Sequence, residues 1–150
     1  MILYKISLTS ILSILIFSTI TSQVITGKWK TIDDVTGKAK SIILIEESNG
    51  KHTATVTDLL DPEYIGKNPL CEACHGEKHN QPIKGLEIMW NIKKTGESKW
   101  GKGRIMDPEN GKTYGCKLYL ESKDKLKVRG YLGFAALGRN QYWYRMPDAE

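Results

Sequence analysis

Apolar and polar residues alternate with a period of two along most of the chain, a pattern typical of strands whose two faces meet different surroundings. The clearest alternation lies in residues 85–93, where Leu86, Ile88, Trp90 and Ile92 share one face. Seven other segments show a comparable strand pattern, and no segment has the apolar period of a helix. The eight predicted strands span residues 25–32, 40–46, 51–60, 85–93, 99–106, 113–121, 125–132 and 139–146.

Short polar turns separate most of these strands, for example Ser48-Asn49-Gly50 and residues 107–112. Asn-Gly favours the positive φ angles of a tight hairpin. Eight antiparallel strands in an open sheet would leave two exposed edges, and closure into a barrel removes both. The pattern therefore predicts an all-β fold, an eight-stranded antiparallel up-and-down barrel with one long loop, residues 61–82, between strands 3 and 4.

Residues on the first and last predicted strands support closure. Gly27 and Trp29 form a Gly-x-Trp on the first strand, and Arg145 lies on the last. This pair of strands resembles the lipocalin-type arrangement, in which the arginine lies across the indole and helps close one end of the barrel. Such a cation–π contact contributes up to ~2 kcal/mol when it is desolvated. We therefore expect a lipocalin-like barrel with Gly27, Trp29 and Arg145 at its closed end.

An eight-stranded barrel has an interior just wide enough for side chains or for one small ligand. Two hypotheses follow. In the first, the barrel binds a small apolar or amphipathic molecule at its mouth or inside it. In the second, side chains fill the interior and the protein acts through its surface. The side chains expected to fill it are Trp29, Leu44, Val56, Ile88, Trp90, Leu118, Leu120 and Val128.

The N-terminal residues resemble a secretory signal peptide. Lys5 precedes an apolar run over residues 6–20, and small or polar residues follow at 21–23. The run is shorter and more polar than the roughly 20 apolar residues of a spanning helix. We expect residues 1–22 to be a signal peptide and residues 23–150 to form a single domain. The protein would be exported to the periplasm or the extracellular space, without stable membrane insertion after the signal is removed.

The formal net charge is +5, but lysines and acidic residues are interspersed along the strands. Alternation explains most of these lysines as the solvated face of a sheet. Because no continuous basic stripe or aromatic–basic motif occurs, we predict no nucleic-acid partner. The chain also has no Gly-x-Ser-x-Gly, phosphate loop or His-Glu-x-x-His, so no enzymatic activity and no catalytic residue are predicted.

The long loop contains Cys71-Glu72-Ala73-Cys74-His75. In an exported protein, a disulfide between Cys71 and Cys74 is the simplest prediction. A ring this short stabilises by only about 2 kcal/mol in the chain-entropy account, so its role would be local, fixing the shape of a flap over one end of the barrel. Cys116 would remain a lone thiol and, if buried, would behave as a small hydrophobe.

Three other interpretations of the loop stay open. Cys71, Cys74 and His75 match the Cys-x-x-Cys-His attachment motif of c-type haem. Cys71, Cys74, His75 and His79 could instead be metal ligands, although a second well-placed half of a zinc site is missing. A redox-active dithiol would need a helix N-terminus to lower the thiol pKa, and no helix is predicted here.

Several stretches together resemble the DUF2147 family of exported bacterial proteins. These stretches are Gly27-Lys28-Trp29, residues 34–37, the Cys71-x-x-Cys74 loop with residues 81–85, residues 103–114, residues 126–131 and residues 137–143. The resemblance covers residues 24–146 and implies a lipocalin-like barrel, but it implies no activity. His75 departs from the family pattern, in which the second cysteine is not generally followed by histidine, and this departure weakens a family-wide haem assignment.

The sequence thus predicts an exported, non-enzymatic β-barrel protein that binds a small apolar or amphipathic ligand or has an accessory role in the cell envelope. A filled barrel acting through surface interactions and a c-type haem protein are the alternatives.

Overall fold

The described part of the chain forms eight strands, and all of the predicted strands are present. The computed structural model describes residues 23–134 and 136–147; the predicted signal peptide, residues 1–22, lies outside the described residues. The strands are β1 (Gly27–Ile32), β2 (Ala39–Ser48), β3 (Lys51–Leu59), β4 (Glu87–Gly96), β5 (Lys99–Met106), β6 (Thr113–Ser122), β7 (Lys125–Tyr131) and β8 (Gly138–Arg145). Two short 3-10 turns, Pro62–Tyr64 and Gly76–Lys78, lie between β3 and β4.

Each strand pairs with its sequence neighbour in antiparallel orientation, and β8 pairs with β1 to close the barrel. The closing ladder places Trp29 opposite Arg145 and Thr31 opposite Trp143. Closure leaves no sheet edge free to pair with another chain. The predicted eight-stranded antiparallel up-and-down barrel is therefore confirmed.

Alternation along the strands directs one apolar face inward. One face of β3, β6, β7 and β8 is buried, including the predicted interior residues Val56, Leu118, Leu120 and Val128, and lysines lie on the outer face. The buried side chains on these four strands include Ala54, Val56, Cys116, Leu118, Leu120, Leu126, Val128 and Trp143. His52 is also buried, with Nδ1 3.4 Å from the carbonyl oxygen of Ile92.

Two side chains that the sequence placed in the interior lie on the outside instead. Leu44 pairs with the exposed Lys28, and the inward residues of β2 are its neighbours Ile43 and Ile45. Residues 42–45 are all apolar, so the sequence has no alternation there to show which face turns inward. The assignment of Leu44 to the interior was wrong for this reason.

Trp90 is the second correction. The register between β3 and β4 shifts on both sides of Ala54, so consecutive residues Ile88 and Met89 are both buried. Bulges of this kind reset the alternation of a strand. Trp90 consequently lies half-buried on the outer face, with the ammonium of Lys78 4.6 Å from its ring centroid.

One end of the barrel, here called the closed end, is filled by Trp29 and Arg145. The guanidinium carbon of Arg145 lies 4.2 Å from the ring centroid of Trp29. The same guanidinium donates to the carbonyl oxygens of Val24, Thr26 and Lys123 at 2.7–2.8 Å. The indole nitrogen of Trp29 donates to the carbonyl oxygen of Ile25 at 2.8 Å. Arg145 thus ties the segment before β1 to the β6–β7 turn.

Gly27 lies against this group. Its φ of 112° is one that L-residues rarely adopt, and a Cβ at this position would lie 3.2 Å from Nη1 of Arg145. A glycine is therefore required on two grounds, backbone conformation and space.

No helix among the described residues is long and apolar enough to cross a membrane.

Replacing Arg145 by lysine tests the closed end. Lysine keeps the positive charge but lacks the planar guanidinium group of arginine. Its ammonium therefore cannot donate to all three carbonyl oxygens and stack on Trp29 at the same time. We expect Arg145→Lys to lower the free energy of unfolding by about 2 kcal/mol. Arg104→Lys, on the exposed face of β5, is the control and should change it by less than about 0.5 kcal/mol. Urea unfolding followed by circular dichroism measures both, and equal effects would contradict this account.

Candidate functional site

The opposite end of the barrel, here called the mouth, opens into a cavity of about 900 Å³. The β1–β2 turn, the insert (residues 60–86), the β5–β6 turn and the β7–β8 link all lie at this end, because alternate connections of an up-and-down barrel share an end. Apolar side chains from several strands line the depth of the cavity, including Ile43, Val56, Ile88, Ile105, Val128 and Trp143. The interior is therefore only partly filled by side chains.

Strand β8 spans the cavity from rim to floor. Its inward residues, read from the mouth, are Arg139, Gln141, Trp143 and Arg145, spaced two residues or roughly 6.7 Å apart. Arg139, Gln141 and Trp143 line the cavity, whereas Arg145 belongs to the closed end. Trp143 therefore lies where the filled part of the barrel ends and the cavity begins.

Polar side chains also line the floor of the cavity, next to Trp143. Thr31, opposite Trp143 on β1, has its hydroxyl 2.8 Å from the hydroxyl of Ser41. Both residues line the cavity. The hydroxyl pair satisfies itself, so it adds little cost to a mostly apolar chamber.

The charged side chains that line the cavity are mostly acidic, although the chain as a whole has a net charge of +5. Five carboxylates and two cationic groups line the cavity: Asp61, Glu63, Glu72, Asp107 and Glu109 against Lys40 and Arg139. Both cations are already paired. Lys40 lies 2.5 Å from Glu109, and Arg139 binds both carboxylate oxygens of Asp34 in the β1–β2 turn. The hydrogen bond from Arg139 lowers the pKa of Asp34.

The insert folds back on itself and forms one wall of the mouth. Its neck is a bridge between Leu70 and Pro82, continued by a hydrogen bond from Ile83 N to Pro69 O at 2.9 Å. Above the neck, the amide of Cys71 donates to the carbonyl oxygen of Gln81 at 2.8 Å. These backbone bonds give a 27-residue connection a defined shape without a core of its own.

The predicted disulfide between Cys71 and Cys74 is present in the structure. Both cysteines are almost completely buried. Sγ of Cys71 lies 3.4 Å from the carbonyl oxygen of Pro108, and Sγ of Cys74 lies 3.6 Å from Sδ of Met106. These are packing contacts, because a disulfide sulfur has no hydrogen to donate. The disulfide thus rests on the end of β5 and the turn that follows it.

Gly111 marks the point where the insert meets the β5–β6 turn most closely. Its φ is 69°, and a Cβ built on it would lie 1.7 Å from the carbonyl oxygen of Ala73. Only glycine permits this approach. The turn and the disulfide loop therefore form one unit at the rim.

The two histidines of the insert lie at its surface. His75 and His79 are exposed, and Nδ1 of His79 lies 3.0 Å from the carbonyl oxygen of Cys74. Thioether attachment of haem would need the two sulfur atoms that the disulfide joins. Within residues 23–134 and 136–147, no group of three or more His, Cys, Asp or Glu side chains is placed to hold a metal ion.

Cys116 lies on the inward face of β6, completely buried, with Sγ 3.9 Å from Sδ of Met89. Burial raises the pKa of its thiol to about 12. The thiol stays protonated at neutral pH and is a poor nucleophile. It therefore packs as a small hydrophobic side chain, as expected from the sequence.

A family described as uncharacterized proteins conserved in bacteria, DUF2147, matches residues 27–145. The chain belongs to the DUF2147 family. The match covers all eight strands and the insert, so the barrel, its closed end and its mouth together constitute the DUF2147 domain. No curated protein matches the sequence significantly.

The DUF2147 barrel is similar to a solved structure of protein HP1028 from Helicobacter pylori, a protein described as belonging to the lipocalin family. The TM-score is 0.73 at 22% sequence identity, over 83% of this chain and 84% of that chain. At this identity the likeness concerns the fold. It confirms the lipocalin-like barrel predicted from the sequence.

Sequence reasoning found the insert and its disulfide, left open whether the interior is a cavity or is filled, and missed the role of Gly111. The sequence assigned no inward face to β8, and the depth of Gln141 and Trp143 relative to the mouth depends on the strand stagger, which no local pattern encodes. Gly111 is part of an Asn-Gly turn, and its contact with Ala73 joins residues far apart in the chain.

Replacing Gly111 by alanine should separate the insert from the β5–β6 turn. Gly37 is a matched control because its φ is 71° and no described atom lies within 4 Å of a Cβ placed there. We expect Gly37→Ala to lower the free energy of unfolding by about 1 kcal/mol, because of backbone strain alone. Gly111→Ala should cost about 3 kcal/mol, because the steric overlap adds to the same strain. Chemical unfolding measures both, and equal costs would show that the contact with Ala73 is dispensable.

Proposed function

We propose that this DUF2147 protein is an exported binding protein that holds one small, mostly apolar molecule inside the barrel. The observation that carries the proposal is the cavity of about 900 Å³ between the closed end and the mouth. Small-molecule sites are typically concave, about 300–1,000 Å³ in volume, and mainly apolar with a few polar groups. The apolar side chains that line the cavity would gain packing contacts with a ligand.

The charged side chains at the rim restrict the charge that the head group of a ligand can carry. The carboxylates outnumber the cations, and Lys40 and Arg139 are engaged by Glu109 and Asp34. A ligand with an anionic head group at the mouth would meet net repulsion, whereas an uncharged or cationic head group would not. The proposed ligand is therefore an uncharged or cationic amphiphile rather than an anionic one.

Export rests on the N-terminal pattern of residues 1–22. An oxidising compartment would also maintain the disulfide between Cys71 and Cys74. The proposed place of action is the periplasm or the extracellular space. There the barrel could carry an apolar molecule and shield it from water.

The proposed binding is tested by filling the cavity. Val56 lines it, whereas its neighbour Thr55 pairs with Leu44 on the outer face. The probe is N-phenyl-1-naphthylamine, which is uncharged and fluoresces strongly in apolar sites. We expect saturable binding to the unaltered protein and a Kd raised about tenfold or more by Val56→Trp, because the added ring occupies the space of the probe.

Thr55→Trp is the matched control, since it adds the same side chain one residue away on the opposite face. Its Kd should stay within about twofold of the unaltered protein. Circular dichroism and thermal unfolding establish that both variants fold. Binding that survives Val56→Trp in a folded protein would place the probe outside the barrel and would refute an interior site.

A second candidate function, docking of the mouth on a partner surface, is favoured by exposed apolar side chains. Six of these lie on the β1–β2 turn, the insert and the β7–β8 link, all at the mouth: Val35, Ile65, Leu70, Leu132, Phe134 and Leu137. Phe134 is 80% exposed. Exposed apolar patches often mark interaction sites. The cavity-filling variant separates the two functions, because it blocks the interior and leaves these side chains in place.

A further inference from the structure

One side of the barrel carries most of the excess positive charge. Strands β5, β6, β7, β8 and β1 are neighbours in the closed sheet, and the only carboxylate on these five strands is Glu121. Strands β2, β3 and β4, by contrast, have four lysines and four carboxylates. The outer side of the five strands, here called the basic face, has nine cationic side chains: Lys28, Lys30, Lys99, Lys102, Arg104, Lys117, Lys125, Lys127 and Arg129.

Strand pairing brings cations that are distant in the sequence side by side. Lys117 lies directly opposite Arg129 in the β6–β7 ladder. On its other side, the register of β5 shifts between Trp100 and Gly103, so Lys102 lies in a bulge next to Lys117. Three cations thus follow one another on three strands, over two strand spacings or roughly 10 Å. Like charges in such positions repel, so an anionic partner would relieve a cost that the fold bears.

The carboxylates of the protein neutralise only a small part of this face. Glu121 lies 3.1 Å from Lys125 and 3.5 Å from Lys127, and Arg129 donates to Asn140 at 2.8 Å. Among the described residues, no carboxylate lies within 4 Å of the cationic groups of the six others, which are Lys28, Lys30, Lys99, Lys102, Arg104 and Lys117.

Lys102 occupies a backbone conformation that favours glycine. Its φ is 64°, in the left-handed region where a Cβ is strained and glycine is not. The side chain is exposed, so packing does not explain why a lysine stands there. Strained backbone of this kind is found where a side chain serves a function. The strain at Lys102 therefore indicates that its charge is used.

Tyrosine rings hold several of the other ammonium groups in place. Cation–π contacts of this kind join Lys117 to Tyr131 at 5.9 Å, Lys125 to Tyr142 at 4.4 Å and Lys127 to Tyr119 at 4.7 Å, measured from Nζ to the ring centroid. Each contact restricts a flexible side chain before any partner binds. Because an ammonium group lies over each of these rings, the face is better suited to reading charge than to stacking nucleic-acid bases.

We propose that the basic face binds a linear anionic polysaccharide. The cations occupy five of the eight strands around the barrel and so point in different directions. A planar lipid surface would meet only some of them, whereas a flexible chain can follow the curve. The tyrosine hydroxyls and Asn140 between the cations can hydrogen-bond the uncharged hydroxyls of a sugar. This inference goes beyond the interior site and does not depend on it.

A matched pair of polymers tests whether charge directs binding. The first is a fluorescently labelled oligogalacturonate, and the second is its methyl ester, which has the same sugars without the negative charges. Fluorescence anisotropy at about 0.15 M salt measures both. We expect the acid to bind at least about tenfold more tightly than the ester. Added salt should weaken the binding of the acid, and a saturating amount of it should leave N-phenyl-1-naphthylamine in its site.

Substitutions of Lys102 test the place of binding. Lys102→Gly removes the charge and should raise the Kd of the acid about fivefold. Its Tm should be unchanged or higher, because glycine relieves the backbone strain. Lys102→Arg restores the charge and should keep the Kd within about twofold. Lys51→Gln is the control, since it removes one charge from the exposed side of β3, outside the basic face, and should also change the Kd less than about twofold.

Three results would overturn the inference. If the acid does not bind, or binds no more tightly than its methyl ester, the face does not recognise an anionic polysaccharide. If Lys51→Gln weakens binding as much as Lys102→Gly, binding follows the overall charge and not this face. If a single-stranded oligonucleotide or vesicles of anionic lipid bind more tightly at the same salt concentration, the partner belongs to another class. None of these results bears on binding inside the barrel.

Discussion

Closure of β8 onto β1 is the constraint on which the rest of the structure depends. Without it, the sheet has two free edges and no enclosed interior. The seam is held at one end by Arg145, which lies over Trp29 and binds three backbone carbonyl oxygens. One side chain thereby completes the barrel, fills its closed end and anchors the segment before β1. The next inward pair along the seam, Thr31 and Trp143, borders open space.

The cavity follows from this arrangement. Trp29 and Arg145 fill the closed end of the barrel, whereas the inward residues Gln141 and Arg139 of β8 line the cavity toward a mouth walled by the insert. The disulfide between Cys71 and Cys74 holds that wall against the β5–β6 turn, where Gly111 allows the closest approach. A fixed rim and a cavity lined by both apolar and polar side chains are features of a preorganised binding site.

Much of the fold could be predicted because strand alternation and turn residues are local signals. The eight strands, the closing pair of residues and the disulfide required no three-dimensional information. The two failures have different origins. Leu44 lies in an unbroken apolar run that does not show which face turns inward, whereas Trp90 lies at a register shift between β3 and β4, which no local pattern encodes. The cavity could not be predicted, because its depth depends on the stagger of eight strands and on the docking of the insert. The basic face is likewise a property of the folded barrel.

Methyl NMR of the protein with N-phenyl-1-naphthylamine tests most directly whether the barrel interior is the binding site. The account predicts that methyl groups lining the cavity, those of Ile43, Ile88 and Val128, change their chemical shifts in proportion to occupancy. Methyl groups of Ile92 and Leu126, buried outside the cavity, should change little. Shifts confined to methyl groups on the outer surface, with those of the cavity unaffected at saturation, would contradict it.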